Sequence, residues 1–184
     1  MGRRRHQGQH PIELQKPDEI YCCDATSIID LNRAGMLPQF RKLMQMGVIR
    51  IPAGVLRELR RGTDGIAPKI DGWDKKYSII VELDSDPTAS ALFAHISNRY
   101  GPPFRVHHQQ YVGFFKTPRG NKSADPQVVA LAESREWTVV SNDRIVQAAC
   151  MIEGVRCCTW EEVGRLIYQT AQLPLFSTIS EPLP

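Results

Sequence analysis

Four acidic residues occupy positions from which their carboxylates could act together. Asp24 directly follows a short apolar run, and Asp143 comes shortly after another. Asp125 lies at the beginning of a predicted helix, whereas Glu58 lies inside one. Carboxylates gathered in a poorly solvated cleft repel one another, and a hard divalent cation neutralises that repulsion. Oxygen ligands suit Mg²⁺ or Mn²⁺, which activates water and stabilises charge on a phosphodiester. The four acids together therefore predict nuclease chemistry.

Each acid taken alone also has an ordinary structural explanation. Asp125 and Asp143 stand at helix beginnings, where an acidic side chain commonly caps backbone N–H groups. Glu58 has arginines on both sides, including Arg57 and Arg61, and could form ion pairs on a helix surface. The alternative function is therefore a module without catalysis, which binds RNA or a protein and uses the acids as caps and ion pairs.

Short apolar runs alternate with helical stretches along the chain. The pattern predicts strands at residues 19–23, 48–51, 78–81, 137–140 and 155–159. It predicts helices at residues 27–35, 38–46, 53–61, 126–135, 143–153 and 160–172. Strand followed by helix, repeated, favours parallel pairing through right-handed crossovers. We therefore expect an α/β fold of three layers, α/β/α, around a mostly parallel five-stranded sheet. Such sheets bind ligands beyond the carboxyl ends of their strands.

Four short motifs resemble those of the PIN-domain ribonucleases. In order they are YCCDATSIIDL, VLREL, SADPQVVALA and VVSND, and the resemblance extends over roughly residues 20–167. The chain looks especially similar to the toxin halves of bacterial VapBC-type toxin–antitoxin operons and to their PIN-like relatives. The resemblance implies a PIN-like fold and metal-dependent endonucleolytic cleavage of RNA. It assigns metal binding and catalysis to Asp24, Glu58, Asp125 and Asp143, with Thr26 and Ser141 in support.

The toxin resemblance also implies a protein partner. The predicted helix at residues 38–46 has more apolar side chains than one buried stripe needs, so it could accept an antitoxin helix or a second copy of the chain. Packing in the core is the alternative use of this helix. Residues 84–124 form a longer segment than the compact toxin pattern allows, and we interpret that segment as an elaboration or a lid.

The same long segment is rich in positive charge. Residues 87–124 contain no Asp or Glu, and Lys116, Arg119 and Lys122 end the segment beside Asp125. Aromatic and histidine side chains lie among these cations, so the segment could stack bases and hold phosphates. We expect the RNA contacts to come from Arg57, Arg61, Lys116, Arg119, Lys122 and Arg144. A half-buried aromatic hairpin with solvated charges is the alternative.

Composition favours a single globular domain. The chain has 184 residues, of which 42% are hydrophobic and 23% charged, and this excludes wholesale disorder and coiled coil. We expect a domain at residues 19–172, a flexible arm at 1–18 and a tail at 173–184. A net charge of +3 is too small to indicate a nucleic-acid partner by itself.

The cysteines and the chain's beginning point to the cytoplasm. The five cysteines form two adjacent pairs and one single, without the spacing of a zinc site, so we expect reduced thiols in the core. The basic beginning of the chain lacks the apolar region of a secretory signal, and no later run is long enough to span a membrane. We therefore expect a cytoplasmic protein that is not associated with membranes.

Overall fold

A five-stranded parallel sheet organises the residues that the computed structural model describes, 19–115 and 124–165. The sheet order is β3-β2-β1-β6-β7, and every neighbouring pair is parallel. The described strands are β1 (Tyr21–Cys23), β2 (Ile49–Pro52), β3 (Ile80–Val81), β4 (Phe104–Val106), β5 (Gln109–Tyr111), β6 (Thr138–Val140) and β7 (Cys157–Cys158). The α/β fold and the parallel five-stranded sheet expected from the sequence are confirmed.

Seven helices with defined bounds connect these strands in the described part of the chain. They are α1 (Ala25–Arg33), α2 (Leu37–Gln45), α3 (Ala53–Arg61), α4 (Ala67–Tyr77), α5 (Pro87–Tyr100), α6 (Asp125–Ser134) and α7 (Arg144–Glu153). Residues 160–165 are also helical. None of the described helices is long and apolar enough to cross a membrane.

The helices cover both faces of the sheet. The chain moves outward from β1 to β3 and then crosses back to β6 and β7. Right-handed crossovers in these two directions place α1 to α4 on one face and α5 to α7 on the other. The packing agrees, because α1 contacts α3, α2 contacts α4, and α6 contacts both α5 and α7. The three-layer arrangement follows.

The centre of the sheet is fully buried. Cys22 and Cys23 of β1 and Val139 and Val140 of β6 have no exposed surface. A strand covered on both faces has continuous rather than alternating hydrophobicity, which is why these short runs could be recognised in the sequence. On α2, the side chains of Phe40, Leu43 and Met44 are buried, so this helix uses its apolar residues in the core.

The long middle segment consists of α5 followed by an antiparallel hairpin, β4–β5, with His107 in the turn. Its aromatic rings pack against one another. The Phe104 ring stacks on Tyr111 with 5.2 Å between ring centroids, and it meets Tyr100 edge-on at 4.9 Å. Phe114 is buried against the Tyr100 ring. The described part of this segment is therefore the half-buried aromatic hairpin considered above, and its rings are engaged in packing.

Candidate active site

The carboxylate of Asp24 is buried where β1 ends. This residue is the N-cap of α1, and its Oδ1 accepts a hydrogen bond from the Ser27 backbone N–H at 2.7 Å. Its Oδ2 accepts a hydrogen bond from the Ser141 hydroxyl at 2.5 Å. The side chain is only 1% exposed. Both carboxylate oxygens are thus oriented by neutral donors from the two central strand ends.

The surroundings of Asp24 make its negative charge costly. Burial raises the pKa of its carboxyl above the ordinary value, and the nearby charge of Asp143 acts in the same direction. Hydrogen bonds from Ser141 and Ser27 oppose this rise but do not cancel it. A cation placed beside Asp24 would offset the cost of its ionised form.

Asp143 lies at the next strand end and begins α7. Its Oδ1 accepts a hydrogen bond from the Ile145 backbone N–H at 2.8 Å, so it is the N-cap that the sequence predicted. Its own backbone N–H donates to the Ser141 hydroxyl oxygen at 3.1 Å. The Ser141 hydroxyl therefore links Asp24 to Asp143, because it donates to one residue and accepts from the other.

Glu58 is brought to the beginning of α6 by a contact between α3 and α6. Oε1 of Glu58 accepts a hydrogen bond from the backbone N–H of Ala124 at 2.6 Å. Ala124 is the N-cap residue of α6 and has no side chain that can cap it, so Glu58 supplies the cap from another helix. Asp125 is the first residue of α6 rather than its N-cap, which corrects the capping alternative for this residue.

A second hydrogen bond reinforces the contact between α3 and α6. The backbone N–H of Gly54 donates to Oε1 of Gln127 at 3.0 Å. A Cβ atom on Gly54 would lie 2.4 Å from this same oxygen, so a larger residue there would displace the end of the Gln127 side chain and disturb this hydrogen bond. Two side chains, one from each helix, thus hold the helix beginnings together at the carboxyl end of the sheet.

Glu58 does not form the surface ion pair that its arginine neighbours suggested. It is half-buried, and among the described residues no arginine forms an ion pair with it. Its neighbour Arg60 instead pairs with Asp71 at 2.7 Å. The contact of Glu58 is with the beginning of α6 rather than with a network of surface charges.

The acids have the right donor chemistry for a hard divalent cation. Carboxylate oxygens are the preferred ligands of Mg²⁺ and Mn²⁺, and Asp24 carries a charge that its neutral partners orient without neutralising. Within residues 19–115 and 124–165, however, no group of three or more His, Cys, Asp or Glu side chains is arranged to hold a metal ion. Asp24 neighbours Asp143, and Glu58 contacts Ala124, the residue before Asp125.

The remaining residues predicted at the site are Thr26 and six cations, and the structure describes only some of them. Thr26 is exposed on the first turn of α1, and the structure shows the next residue, Ser27, in contact with Asp24. The three described arginines proposed to bind RNA, Arg57, Arg61 and Arg144, have exposed side chains. The other three cations, Lys116, Arg119 and Lys122, lie outside the described residues.

Several residues at the site could not be recognised in the sequence. Ser27 Oγ donates to the Val140 carbonyl at 3.1 Å, and Gln147 Nε2 donates to the Ser141 carbonyl at 2.9 Å. Together with Gln127, these side chains fix the backbone around the acids. Ser and Gln inside helices have no spacing that reveals such distant partners, so no signal was available.

Comparison with known proteins gives structural similarities only. No family model matches the chain, and no curated protein sequence matches it significantly. The fold is similar to that of PAE2754 from Pyrobaculum aerophilum, with 17% identity, a TM-score of 0.46 and coverage of 82% of this chain and 98% of the other. It is also similar to FitAcB from Neisseria gonorrhoeae, with 16% identity, a TM-score of 0.44 and coverage of 75% and 96%. These similarities concern the fold alone.

Proposed function

We propose that this protein is a divalent-metal-dependent endoribonuclease whose ligands are Asp24, Glu58, Asp125 and Asp143. The observation that carries the proposal is the buried carboxylate of Asp24, which neutral donors orient beside a second acid at the carboxyl end of a parallel sheet. That edge is where open α/β sheets bind their ligands. The resemblance of four sequence motifs to those of PIN-domain ribonucleases supports the proposal, because it implies the same four residues as metal ligands.

The chain's own residues have two tasks in this proposal. Ser141 and Ser27 fix the two oxygens of Asp24, so that they need not reorganise during reaction. Glu58 holds the beginning of α6 and thereby the backbone from which Asp125 projects. Bound Mg²⁺ or Mn²⁺ would supply a water of lowered pKa and stabilise charge on the phosphodiester.

The substrate contacts are proposed at exposed cations near these acids. Arg57 lies one residue from Glu58, and Arg144 lies one residue from Asp143. Arginine can hold a phosphate through two parallel hydrogen bonds, which suits the placement of an RNA backbone. Together with Arg61 and the three cations before Asp125, they would steer single-stranded RNA toward the strand ends.

The toxin role is a narrower part of the proposal. A toxin of this kind would be encoded beside a short antitoxin gene, and the antitoxin would bind the folded protein. Expression of the chain together with its upstream reading frame, followed by purification, is the direct check. Recovery of a stable complex whose RNase activity is suppressed would support the toxin role. An upstream neighbour that neither binds the chain nor suppresses its activity would limit the proposal to a ribonuclease, alone or as a homodimer.

The nuclease proposal is tested by cleavage of a labelled single-stranded RNA with the purified chain. Mn²⁺ or Mg²⁺ should support cleavage, and EDTA should stop it. Asp24→Asn should lower the rate by about 100-fold or more, because a metal ion contributes several kcal/mol of transition-state stabilisation. Asn can still cap α1, so the fold should survive this change.

Asp30→Asn is the matched control for this experiment. Asp30 lies on the same helix, and its carboxylate pairs with Arg33 at 3.4 Å on the surface. This variant should cleave at the unmodified rate. Cleavage that persists in Asp24→Asn, or that EDTA does not affect, would overturn the proposed metal-dependent mechanism.

A further inference from the structure

Two hydrogen bonds join the beginnings of α3 and α6 in a reciprocal way. The backbone N–H of Gly54, in the first turn of α3, donates to Oε1 of Gln127 on α6 at 3.0 Å. The backbone N–H of Ala124, which precedes α6, donates to Oε1 of Glu58 on α3 at 2.6 Å. Each helix thus supplies a side-chain acceptor to a backbone N–H at the beginning of the other.

Both helices use such an acceptor because neither is capped by its own N-cap residue. The N-cap residues are Pro52 of α3 and Ala124 of α6, and neither has a side chain that accepts a hydrogen bond from its helix. The first N–H groups of a helix have no partner within that helix. Gln127 and Glu58 therefore act as N-caps, each from the opposite helix.

The spacing of the four residues makes the two hydrogen bonds parts of one contact. Gly54 and Glu58 are four residues apart on α3, so they lie on the same face of that helix. Ala124 and Gln127 are three residues apart at the beginning of α6 and likewise share a face. Moving forward along α3 from one bond to the other means moving backward along α6, so the two helix segments run in opposite directions where they meet. The position of the Glu58 carboxylate therefore depends on how α3 is held at Gly54.

The hydrogen bond between Gly54 and Gln127 can be broken from either side. A Cβ atom at position 54 would lie 2.4 Å from Oε1 of Gln127 and 2.8 Å from its Cδ. The end of the Gln127 side chain would have to move away from the Gly54 N–H. Gly54→Ala therefore disturbs the same hydrogen bond as a change of Gln127 itself.

We propose that Gln127 is a positioning residue that, through Gly54, holds the carboxylate of Glu58 at the beginning of α6. Removing the hydrogen bond between Gln127 and Gly54 should loosen the one between Glu58 and Ala124, although both groups of the second bond remain. Ala124 directly precedes Asp125, so the same contact should set how Glu58 and Asp125 are presented to a divalent cation. The consequence for metal binding rests on the proposed function, whereas the coupling of the two hydrogen bonds does not.

Amide hydrogen exchange in the metal-free full chain, followed by NMR, measures this coupling. Gln127→Leu removes the acceptor and keeps a good helix former at this position. The Ala124 amide should exchange about fivefold faster in this variant, which is the effect of losing one hydrogen bond from the contact. Gly54→Ala should produce a similar increase. The double variant should not exceed the larger single effect, because both changes remove the same bond.

Matched controls lie in the contact between α2 and α4. Gln45→Leu removes a side-chain hydrogen bond between these helices, from Gln45 Nε2 to the Tyr77 phenol oxygen at 2.8 Å. Gly72→Ala adds a Cβ atom to a helical glycine that would meet nothing within 4 Å. Neither change should alter exchange of the Ala124 amide. Unchanged exchange in Gln127→Leu and Gly54→Ala, or an equal increase in the controls, would overturn the proposal.

Mn²⁺ titrations separate this inference from the proposed function. Gln127→Leu should need about tenfold more Mn²⁺ than the unmodified chain for the same rise in melting temperature, because groups that orient metal ligands affect metal affinity to that extent. Each rise is measured from the variant's own metal-free melting temperature, so lost stability does not register as lost binding. Equal Mn²⁺ requirements would overturn the role of Gln127 at the metal site. No rise in the unmodified chain would instead overturn the metal site of the proposed function, and the exchange rates would still decide the coupling.

Discussion

Carboxylates lie at both ends of the parallel sheet, but the groups that contact these carboxylates differ between the two ends. At the amino end, Glu19 lies just before β1 and pairs with Arg156 at 3.1 Å. Asp86 pairs at the same distance with Arg135, which precedes β6. At the carboxyl end, Asp24 accepts hydrogen bonds from a hydroxyl and a backbone N–H instead.

The difference indicates what each end can do. An arginine neutralises a carboxylate locally, and the pair needs no further ligand. Neutral donors orient a carboxylate and leave its charge in place, so it can still attract a cation. The amino end is therefore expected to contribute to stability alone, whereas the proposed chemistry is expected at the carboxyl end. Replacing one glutamate by glutamine at each end, in separate variants, tests this contrast.

The largest effect is expected from Glu58→Gln at the carboxyl end. Gln can still accept the hydrogen bond from the Ala124 N–H, so α6 should remain in place, but a charged oxygen ligand is lost. RNA cleavage should fall by about 100-fold. The rise in melting temperature caused by Mn²⁺ should also become smaller, because an ion that binds only the folded state stabilises it less when it binds more weakly.

Glu19→Gln makes the same chemical change at the amino end. Its carboxylate accepts from Thr138 at 2.6 Å and belongs to the pair with Arg156. Cleavage and the Mn²⁺ shift should both equal those of the unmodified chain. Equal Mn²⁺ shifts in Glu19→Gln and Glu58→Gln would place Glu58 outside the metal site and break the contrast between the ends.

A second effect concerns RNA affinity. Changing Lys116, Arg119 and Lys122 together to Ala should weaken binding of single-stranded RNA. The change should also make RNA binding less sensitive to salt. Three lost phosphate contacts reduce the slope of the logarithm of the binding constant against the logarithm of the salt concentration by about 2. Fluorescence anisotropy across a salt titration measures both quantities. Arg156→Ala is the control, because this arginine lies at the amino end. An unchanged slope in the triple variant would show that this stretch does not contact RNA.

The sequence predicted the sheet well because its central strands are covered on both faces. Buried runs such as that of β6 contain no charged residue, and Asp24 and Asp143 mark the points where the chain turns into helices. The helices α4 and α5 were not predicted. α4 has Gly72 in its interior and buries only Ala67 and Ile70, so its apolar pattern is weak. α5 presents a similarly sparse buried face.

The acids of the candidate site could be predicted from the sequence, but the hydrogen bonds that hold the helices around them could not. An acid after a strand is visible in the sequence, whereas the hydrogen bond from Ala124 to Glu58 joins residues 66 positions apart. The Gly54–Gln127 contact joins residues 73 positions apart, and nothing in either local sequence requires it. Such contacts depend on how α3 and α6 meet over the strand ends, and only the three-dimensional structure determines that.

A smaller effect is the dependence of stability on pH at Asp24. Its pKa is raised in the folded state, mainly by burial, so its ionisation opposes folding as pH rises above the ordinary value of 3.8. Asp24→Asn removes this cost and keeps the cap. Without metal, the variant should melt at the same temperature as the unmodified chain near pH 3.5, and at a higher temperature at pH 7. For a chain of this size each kcal/mol corresponds to about 2–4 °C. A lower melting temperature of the variant at pH 7 would contradict this account.

The smallest effect is expected from Arg156→Ala at the amino end, and its dependence on pH has the opposite sign. The pKa of Glu19 is lowered, first by the hydrogen bond from Thr138 and further by Tyr21 and Arg156. Its ionised form therefore favours folding above the ordinary value of 4.5, and that contribution is lost as pH falls. Because Arg156 is 63% exposed, its pair should contribute less than about 1 kcal/mol, and salt should reduce it further. Melting curves of Arg156→Ala at pH 7 should lie less than about 4 °C below those of the unmodified chain, and the gap should narrow at low pH and in 1 M NaCl. A difference in melting temperature that stays constant in both conditions would mean that Arg156 stabilises the fold through packing rather than through charge. The amino end would then no longer be an example of carboxylates neutralised by ion pairs.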